Sequence, residues 1–371
     1  MDIQPKYKEL KNYIKQNILD SSYKEQEAIP SENEFCKLFN TSRVTVRKAI
    51  DELVMEGYIY RVQGVGTFVQ EKIQRNNYEN NNRVALIFHD NNFLFSEFNS
   101  SIILGVEKVL QQGGLSLATY YSMNNTDSQY DKINNSIQEG VKGIILCGCL
   151  ENENDTRLKD FVNTDIPIVC IDRYFKYLPF DAVIGEDYKA GYKAGSMFIE
   201  KGYKNIGYYY PYSIESSVTQ GRVNGLIAAM KDNNVKINND LIVKTTDSNK
   251  KTMYDYYEMS NNVRQYLMKN KDLEAVVAFN DITSLLFYKE ASRLGIRIPE
   301  DIALISFGNF YIDSIFEVGL TSFDQHAEII GQEAAKLIIN RLINNQERER
   351  KIVKVDYDLV IRKSSGNKSL D

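Results

Sequence analysis

The sequence predicts two folded parts, an N-terminal α+β winged helix-turn-helix and a C-terminal α/β region of parallel sheets. Three observations carry this. Two helix starts and a glycine-tipped hairpin follow one another between Ser31 and Phe68. From Arg83 onward, apolar runs of strand length alternate with amphipathic helical stretches. Residues 70–82, between the two parts, are polar and Asn-rich without a core-forming pattern, and read as a linker.

The elements of the first part follow from local chemistry. Tyr7, Leu10, Ile14 and Ile18 recur at helical spacing, so a helix over residues 6–20 comes first. Pro30 stops what precedes it, and Ser31 with Glu34 fits a capping box. Phe35, Leu38 and Phe39 give that short helix an apolar side. Thr41 and Ser42 then offer a turn and a new N-cap. Val46, Ala49, Ile50 and Leu53 fall at i, i+3, i+4 and i+7, an inward stripe, and Gly57 suits the C′ position. Tyr58–Val62 and Thr67–Val69 are β-prone, with Gly64 and Gly66 in the turn between them.

Arg43 and Arg47 share one flank of the second helix, within its first two turns, while Val44 and Lys48 point further outward. Arginine takes guanine bidentately and Val44 suits a thymine methyl; one good bidentate pair discriminates by about 1–3 kcal/mol. Thr41, Ser42, Thr45 and Lys48 suit phosphates, which position without specifying. Gln63 and the glycines allow the wing a close approach to a minor groove. Two arginines on a helix are ordinarily a solvated face, and a Gly-x-Gly is weak alone; their order and spacing point to DNA. Residues 5–70, with Ser31-Glu-Asn-Glu, Ser42-Arg-Val-Thr-Val-Arg-Lys-Ala and Gly64-Val-Gly-Thr-Phe, resemble the DNA-binding domain of GntR-family regulators. The resemblance implies recognition by Arg43, Arg47 and the wing at Gln63, Gly64 and Gly66. It implies phosphate contacts from Thr41, Ser42, Thr45 and Thr67, and adds Lys6, Tyr7 and Ser31 to the DNA-facing set.

Composition bounds the rest. The chain has 371 residues, 43% hydrophobic and 26% charged, with a net charge of −5. An acidic chain meets DNA through a local basic surface, and Lys37, Arg43, Arg47 and Lys48 supply one with no acid among residues 37–48. No apolar run is long enough to span a membrane, and the N-terminus lacks a signal peptide's apolar core, so a cytoplasmic protein is expected. The four cysteines, Cys36, Cys147, Cys149 and Cys170, form no Cys-x-x-Cys pair and read as free thiols. With two histidines, His89 and His326, a metal site or a catalytic triad has little to draw on. No phosphate loop or dinucleotide fingerprint offers an enzyme reading either, so no cofactor is expected.

In the second part, strands are predicted at Val84–Phe88, Leu115–Tyr121, Gly143–Cys147, Ile168–Ile171, Asn205–Tyr210, Leu241–Lys244, Ala275–Phe279 and Ala303–Phe307. Helices are predicted at Ser100–Gln112, Gln129–Glu139, Lys189–Glu200, Gly221–Lys231, Met253–Lys269, Ile282–Leu294 and Glu328–Leu342. The alternation fits one eight-stranded barrel or two smaller doubly wound lobes. The order of Ser100-Ser-Ile-Ile-Leu-Gly, Asp172-Arg173, Gly185-Glu-Asp-Tyr-Lys-Ala-Gly, Arg222-Val-Asn-Gly, Phe279-Asn-Asp, Leu294-Gly-Ile-Arg-Ile-Pro-Glu-Asp-Ile-Ala and Leu320-Thr-Ser-Phe is similar to the effector domain of LacI/GalR-type regulators. That resemblance covers about residues 83–363. It implies two Rossmann-like lobes of periplasmic-binding-protein type, joined by three crossovers, with a sugar or similar small molecule in the cleft. The domains are then 1–69 for DNA, 70–82 as linker and 83–371 for effector binding and dimerisation.

The resemblance nominates Arg222 near the start of its helix, Asp172 with Arg173 after Ile168–Ile171, and Asn280 with Asp281 after Val276–Phe279. All follow strand C-termini, where open α/β folds bind ligands. Phe93, Phe95 and Phe98 with Ser96 follow the first strand as an aromatic wall. Two readings stay open for several of these. Asp281 reads as the cap of the helix from Ile282, leaving Asn280 as the ligand group; Asp172 and Arg173 read as ligand groups or an internal ion pair; the phenylalanines read as wall or lobe packing. After Ala303–Phe307 this chain has Gly308-Asn309 where the family usually places a carboxylate, so Asn309, Glu186 or Gln325 would substitute. A GntR-type DNA domain on a LacI/GalR-type sensor is the architecture of arabinose-responsive regulators. It implies a homodimeric repressor on a pseudo-palindromic operator, released by a sugar effector, L-arabinose; the sequence leaves open a different sugar, and activation in place of repression.

Overall fold

A computed structural model describes residues 6–20, 22–62, 64–71, 81–89, 97–122, 125–148, 157–175, 177–210, 216–242, 256–310, 319–344 and 349–366. The N-terminal part is three helices and a hairpin: α1 (Lys6–Leu19), α2 (Glu32–Leu38), α3 (Arg43–Met55), β1 (Ile59–Val62) and β2 (Gly66–Val69). The capping box forms at Ser31 and Glu34, with the Ser31 N–H donating to Glu34 Oε2 at 2.7 Å. Leu10, Ile14, Phe35, Val46, Ala49, Ile50 and Leu53 are all fully buried in one cluster. Burying each large aliphatic side chain among them stabilises the domain by about 1.5–3 kcal/mol, which is why three short helices hold together. β1 and β2 pair antiparallel from Ile59↔Val69 to Val62↔Gly66, and Ala28 adds an isolated bridge to Phe68.

The C-terminal part resolves the choice between a barrel and two lobes in favour of lobes. The first contains β3 (Arg83–Phe88), α4 (Glu97–Gln112), β4 (Ser116–Tyr121), α5 (Thr126–Gln138), β5 (Gly143–Cys147), β6 (Ile168–Ile171) and β7 (Asp181–Gly185). The second contains α6 (Asp187–Glu200), β8 (Ile206–Tyr209), α7 (Ser217–Asp232), α8 (Tyr256–Lys269), β9 (Ala275–Ala278), α9 (Asp281–Arg293), β10 (Ala303–Gly308) and β11 (Thr321–Asp324). The chain then returns to the first lobe with α10 (Ala327–Ile343) and β12 (Ile352–Val355), and ends in the second with β13 (Asp358–Val360). The first sheet has the order β12-β7-β6-β5-β3-β4, all parallel. The second has the order β13-β11-β10-β9-β8, parallel except for antiparallel β13. Three crossovers therefore join the lobes, at residues 185–187, 324–327 and 355–358.

Each sheet is covered on both faces, which is why its strands are continuously apolar. Each lobe also has two helices that touch backbone to backbone through glycine. A Cβ on Gly105 of α4 would lie 2.0 Å from the Glu328 carbonyl oxygen of α10, and one on Gly331 lies 2.3 Å from that of Ile102. In the second lobe, a Cβ on Gly191 of α6 would lie 2.1 Å from the Arg222 carbonyl oxygen, and one on Gly225 lies 2.1 Å from that of Tyr188.

Several expectations change. Of the strand expected at Leu241–Lys244, Leu241 ends a 3-10 turn over Asn239–Leu241 and Ile242 makes an isolated parallel bridge to Tyr208, while residues 243–244 lie outside the described set. The Asn238 side chain caps the turn by accepting from the Asp240 N–H, which draws the backbone away from the ladder. The last two residues of the predicted linker are structured. Asn81 is buried, its Nδ2 donates to the Glu139 carbonyl at 2.6 Å, and the Asn82 carbonyl accepts from the Ser116 N–H. Cys36, Cys147 and Cys170 are free thiols, while Cys149 lies outside the described residues. No helix among the described residues is long and apolar enough to cross a membrane.

Candidate nucleic-acid interface and effector cleft

Ser42 caps α3, its Oγ accepting from the Thr45 N–H at 3.3 Å and lying 3.0 Å from Thr45 Oγ1. The cap fixes where the helix begins, and so puts Arg43 and Val44 on its exposed first turn, Val44 being 78% exposed. Among the described residues no ion pair engages Arg43. Arg47 lies one turn on and is not free: its Nε donates to Glu32 Oε2 at 2.9 Å. Glu32 also faces Arg61 of β1 at 3.5 Å, and Arg61 in turn meets Asp51 at 2.5 Å. Lys48 sits with its ammonium 4.1 Å from the centre of the Tyr7 ring, and Lys6 donates to the Asn40 carbonyl at 3.0 Å. Tyr7 and Lys6 thereby brace the turn before α3. Thr41 donates its backbone N–H to the Cys36 carbonyl, and Thr67 in the wing accepts from the Ile29 N–H.

The wing tip is exposed. Gly64 has φ +76 and open space around it, so only its backbone conformation demands glycine there. Gly66 is also exposed, and Gln63 lies outside the described residues. A helix N-terminus, Arg43 without an ion pair among the described residues, Lys48 and a glycine-bearing hairpin together make an exposed basic surface of the kind that suits a phosphate backbone. Glu32 and Arg61 were not foreseen. Glu32 shows only as a helix-start acid in sequence, and its partners come from other elements.

In the second lobe, Arg222 is 2% exposed. Its Nε donates to Asp187 Oδ1 at 2.7 Å and its Nη1 to the Phe279 carbonyl at 2.7 Å. Its guanidinium lies 3.8 Å from the centre of the Phe307 ring, a stacking that a desolvated site strengthens. Burial pushes the Asp187 carboxyl up, to about 6, against the pull of Arg222 and with a further push from Asp172. Burial opposes the charge on Arg222 as well, but Asp187, Tyr357 and Tyr208 outweigh it and hold the guanidinium protonated. Asp172, at the end of β6, has a left-handed backbone with φ +69 and lies 3.6 Å from Arg173. Such a conformation costs roughly 1–3 kcal/mol and persists where surroundings over-determine it. Burial raises its carboxyl too, with Arg173 and Arg222 pulling the other way.

The cap expected at Asp281 falls on Asn280. Asn280 is the N-cap of α9, its Oδ1 accepting from the Thr283 N–H at 2.9 Å and from Thr283 Oγ1 at 2.8 Å. Asp281 is fully buried and does not cap; Ser322 Oγ donates to it at 2.8 Å and the Phe310 N–H at 3.2 Å. The helix starts one residue earlier than its apolar pattern suggests, so the cap falls on Asn280. Asp281 also explains Gly308, where a Cβ would stand 2.1 Å from Asp281 Oδ2. Asn309 is fully engaged: its N–H donates to Ser322 Oγ at 3.0 Å, its Nδ2 to Asp324 at 3.1 Å, and its Oδ1 accepts from Arg362 at 2.7 Å.

The crossovers close the floor. Gln325 Nε2 donates to Tyr357 Oη at 3.3 Å, and Tyr357 Oη donates to Asp187 Oδ1 at 3.4 Å. Glu186 faces Lys189 and Lys354, each at 3.5 Å. In the first lobe, Phe98 is half-buried against the lobe core, while Phe93, Phe95 and Ser96 lie outside the described residues. His89, at the end of β3, lies 3.2 Å from Ser122 Oγ; burial, aided by Arg173, pushes its imidazole down to about 4 and keeps it neutral. A cleft of about 400 Å³ opens between Phe98 and Ser101 of α4, Asn309 and Phe310 beyond β10, and Gln325 and His326 of the second crossover. A larger cavity, about 570 Å³, lies at the opposite ends of β6 and β7, where Asp181 holds Arg341 through two hydrogen bonds. It is lined by none of the residues above, and ligands of open α/β folds sit at strand C-termini.

Arg222, Asp187, Tyr357 and Asp172 thus come together from separate elements, with His89 beside Arg173, while Asp281, Ser322, Asn309 and Arg362 form a second bonded group and Asn280 serves as a helix cap; Asp187, Tyr357, His89 and Arg362 were not foreseen. The first group presents buried carboxylates beside the charged Arg222 guanidinium, groups that pair with the hydroxyls of a polyhydroxylated molecule.

Residues 6–69 match the bacterial regulatory proteins of the gntR family, and residues 196–365 match the periplasmic binding protein-like domain. An arabinose metabolism transcriptional repressor of Halalkalibacterium halodurans is 28% identical over 359 residues, covering 94% of this chain and 91% of the relative. One of the same description from Geobacillus stearothermophilus is 25% identical over 370 residues, covering 97% and 98%. Among solved structures, a transcriptional regulator CelR–cellobiose complex aligns with a TM-score of 0.67 at 21% identity, covering 87% of this chain and 90% of that one. The regulator CcpA of Lactococcus lactis aligns at 0.66 and 20% identity, covering 76% and 99%. At these identities the two structures establish the fold.

Proposed function

We infer that this chain, a GntR-type winged helix joined to a periplasmic-binding-protein-like sensor, is a sugar-responsive transcriptional repressor whose effector is L-arabinose. The observation that carries the reading is the pairing itself: an exposed, capped α3 bearing Arg43 at one end of the chain, and the Arg222–Asp187 floor beside three crossovers at the other. The domains run 1–69, 70–82 as linker and 83–371, with Asn81 and Asn82 serving as the sensor's anchor for the linker. Two relatives described as arabinose metabolism repressors match over nearly the whole chain, which supports L-arabinose as the effector.

Vicinal hydroxyls donate to Asp187 and Asp172 and accept from Arg222, while Phe98 meets a C–H face and Phe307 backs the Arg222 guanidinium. Ligand drawn between the lobes turns them about the crossovers. A homodimer places two α3 helices over a pseudo-palindromic operator, and the turn moves them out of register. Exposed apolar side chains on both lobes, Leu104 of α4 and Tyr257 and Met268 of α8, supply surface for the partner copy. A coupling of about 1–3 kcal/mol weakens operator binding 5–150-fold. Operator binding places the protein in the cytoplasm.

The test is a thermal-shift panel of pentoses, hexoses and sugar phosphates on the full chain, followed by operator binding with each responsive sugar. Ligand at 100 times its Kd adds about 2.7 kcal/mol of stability. A shift and operator release with L-arabinose fit the reading; release by a different sugar replaces the effector, and no release by any sugar removes the regulatory mechanism.

A further inference from the structure

We propose that Tyr357 is the positioning residue of the hinge: its hydroxyl holds the three crossovers at one point and passes ligand contact at Asp187 on to the angle between the lobes. The ligand half of this rests on the effector reading above; the mechanical half does not. Tyr357 belongs to the third crossover, Gln325 to the second, and Asp187 closes the first. One oxygen joins them, donating to Asp187 Oδ1 at 3.4 Å and accepting from Gln325 Nε2 at 3.3 Å. Both contacts are longer than an ordinary hydrogen bond, so a contraction of a few tenths of an ångström strengthens both together.

The ring is placed for this role. It lies on Gly185, where a Cβ would stand 1.6 Å from Tyr357 Oη and 2.1 Å from Cζ, so no side chain fits at residue 185 while the ring is there. It also meets Phe307 edge-on, with centroids 6.4 Å apart at 73°. Phe307 is the same ring that carries the Arg222 guanidinium. Asp187 Oδ1 is shared between Tyr357 and Arg222, so a hydroxyl drawn to either side of that ion pair moves the oxygen to which the hinge is fastened. The remaining ties between crossovers act in pairs: the Glu186 N–H to the Val355 carbonyl, Lys189 with Asp356, and His326 with Asp358.

Two variants of the full chain test the proposal. Tyr357→Phe removes the hydroxyl and keeps the ring; Gly185→Ala keeps the hydroxyl and displaces the ring. In sugar-free protein, amide hydrogen exchange is expected to quicken about tenfold at residues 185–187 and 325–326 in both variants, with the β3 core unchanged, as loss of a hydrogen bond to a charged group allows. The ratio of operator Kd with and without saturating L-arabinose is expected to fall about tenfold, while the sugar-free operator Kd stays within about twofold. Exchange quickened only around residues 355–358, or an unchanged Kd ratio in a protein that does respond to sugar, overturns the proposal. If the parent responds to no sugar, the effector reading fails by itself, and the exchange pattern alone decides on Tyr357.

Discussion

Replacing Arg222 by methionine keeps much of the side-chain volume and removes the guanidinium. Arg222 and Asp187 are 2% and 9% exposed at the side chain, so the variant leaves a carboxylate in the protein interior without its partner. Breaking a buried pair from one side costs about 3–5 kcal/mol. The cost depends on pH, and the sign follows from Asp187. Its carboxyl is already raised to about 6 beside Arg222, and without Arg222 burial raises it further above its unfolded value. A carboxyl whose folded value is raised costs folding the full amount above that value; the cost fades as pH falls between the folded and unfolded values, and the two proteins differ little once Asp187 is protonated in both native states. At pH 7.5 the full cost is therefore expected. At pH 5 Asp187 carries a proton in both proteins, and what remains is the unpaired Phe279 carbonyl, about 1–3 kcal/mol. Adding Asp187→Asn to Arg222→Met is expected to restore most of the loss at pH 7.5. The assay is denaturant unfolding of the full chain at both pH values, following the transition of the sensor. An equal loss at pH 7.5 and pH 5, or a double variant as unstable as the two singles summed, would refute the reasoning.

Other outcomes follow from the same geometry. Arg43→Ala is expected to relax base preference at one operator position by about 1–3 kcal/mol, read by competition with substituted operators. Lys48→Ala is expected to weaken all sequences alike and to reduce the salt slope by about one, read from operator binding across a salt series. Sugar affinity is expected to fall as pH drops through 6, at most about tenfold per pH unit, because the ionised Asp187 accepts hydroxyls more strongly than the protonated one; calorimetry between pH 5 and 8 reads it. Gly225→Ala forces α7 off α6 and is expected to cost about 1–3 kcal/mol, with a loss of sugar affinity that Gly105→Ala in the other lobe does not share.

The winged helix was legible because each of its parts carries a local signal. The Ser31–Glu34 box, the Ser42 cap and the Val46-to-Leu53 stripe each specify their own element. The parallel strands up to β6, and β8 to β10, were equally plain as apolar runs. Strands β7, β11, β12 and β13 were not foreseen, since they are short or mixed in polarity and exist through pairing with distant strands. Leu241–Lys244 has the apolar character of a strand but meets the sheet at one bridge. Among the candidate effector residues, Arg222, Asp172 and Asn280 stood out by following strand ends. Asp187 and Tyr357 did not, because their importance comes from meeting each other across crossovers far apart in sequence. The pairing of Arg47 with Glu32 was invisible for the same reason.

The glycine seams bear on how such a molecule makes a decision. Where Gly105 and Gly331, or Gly191 and Gly225, bring two backbones into contact, there is no side chain to rotate and no gap to absorb a strain. A change at one helix of such a seam cannot be taken up locally and must be met by its partner. The seams lie apart from the peptide units beside Gly185, Gln325 and Tyr357, where the chain passes between the lobes. Side chains elsewhere in each lobe can therefore vary while the four seam positions stay tied to glycine.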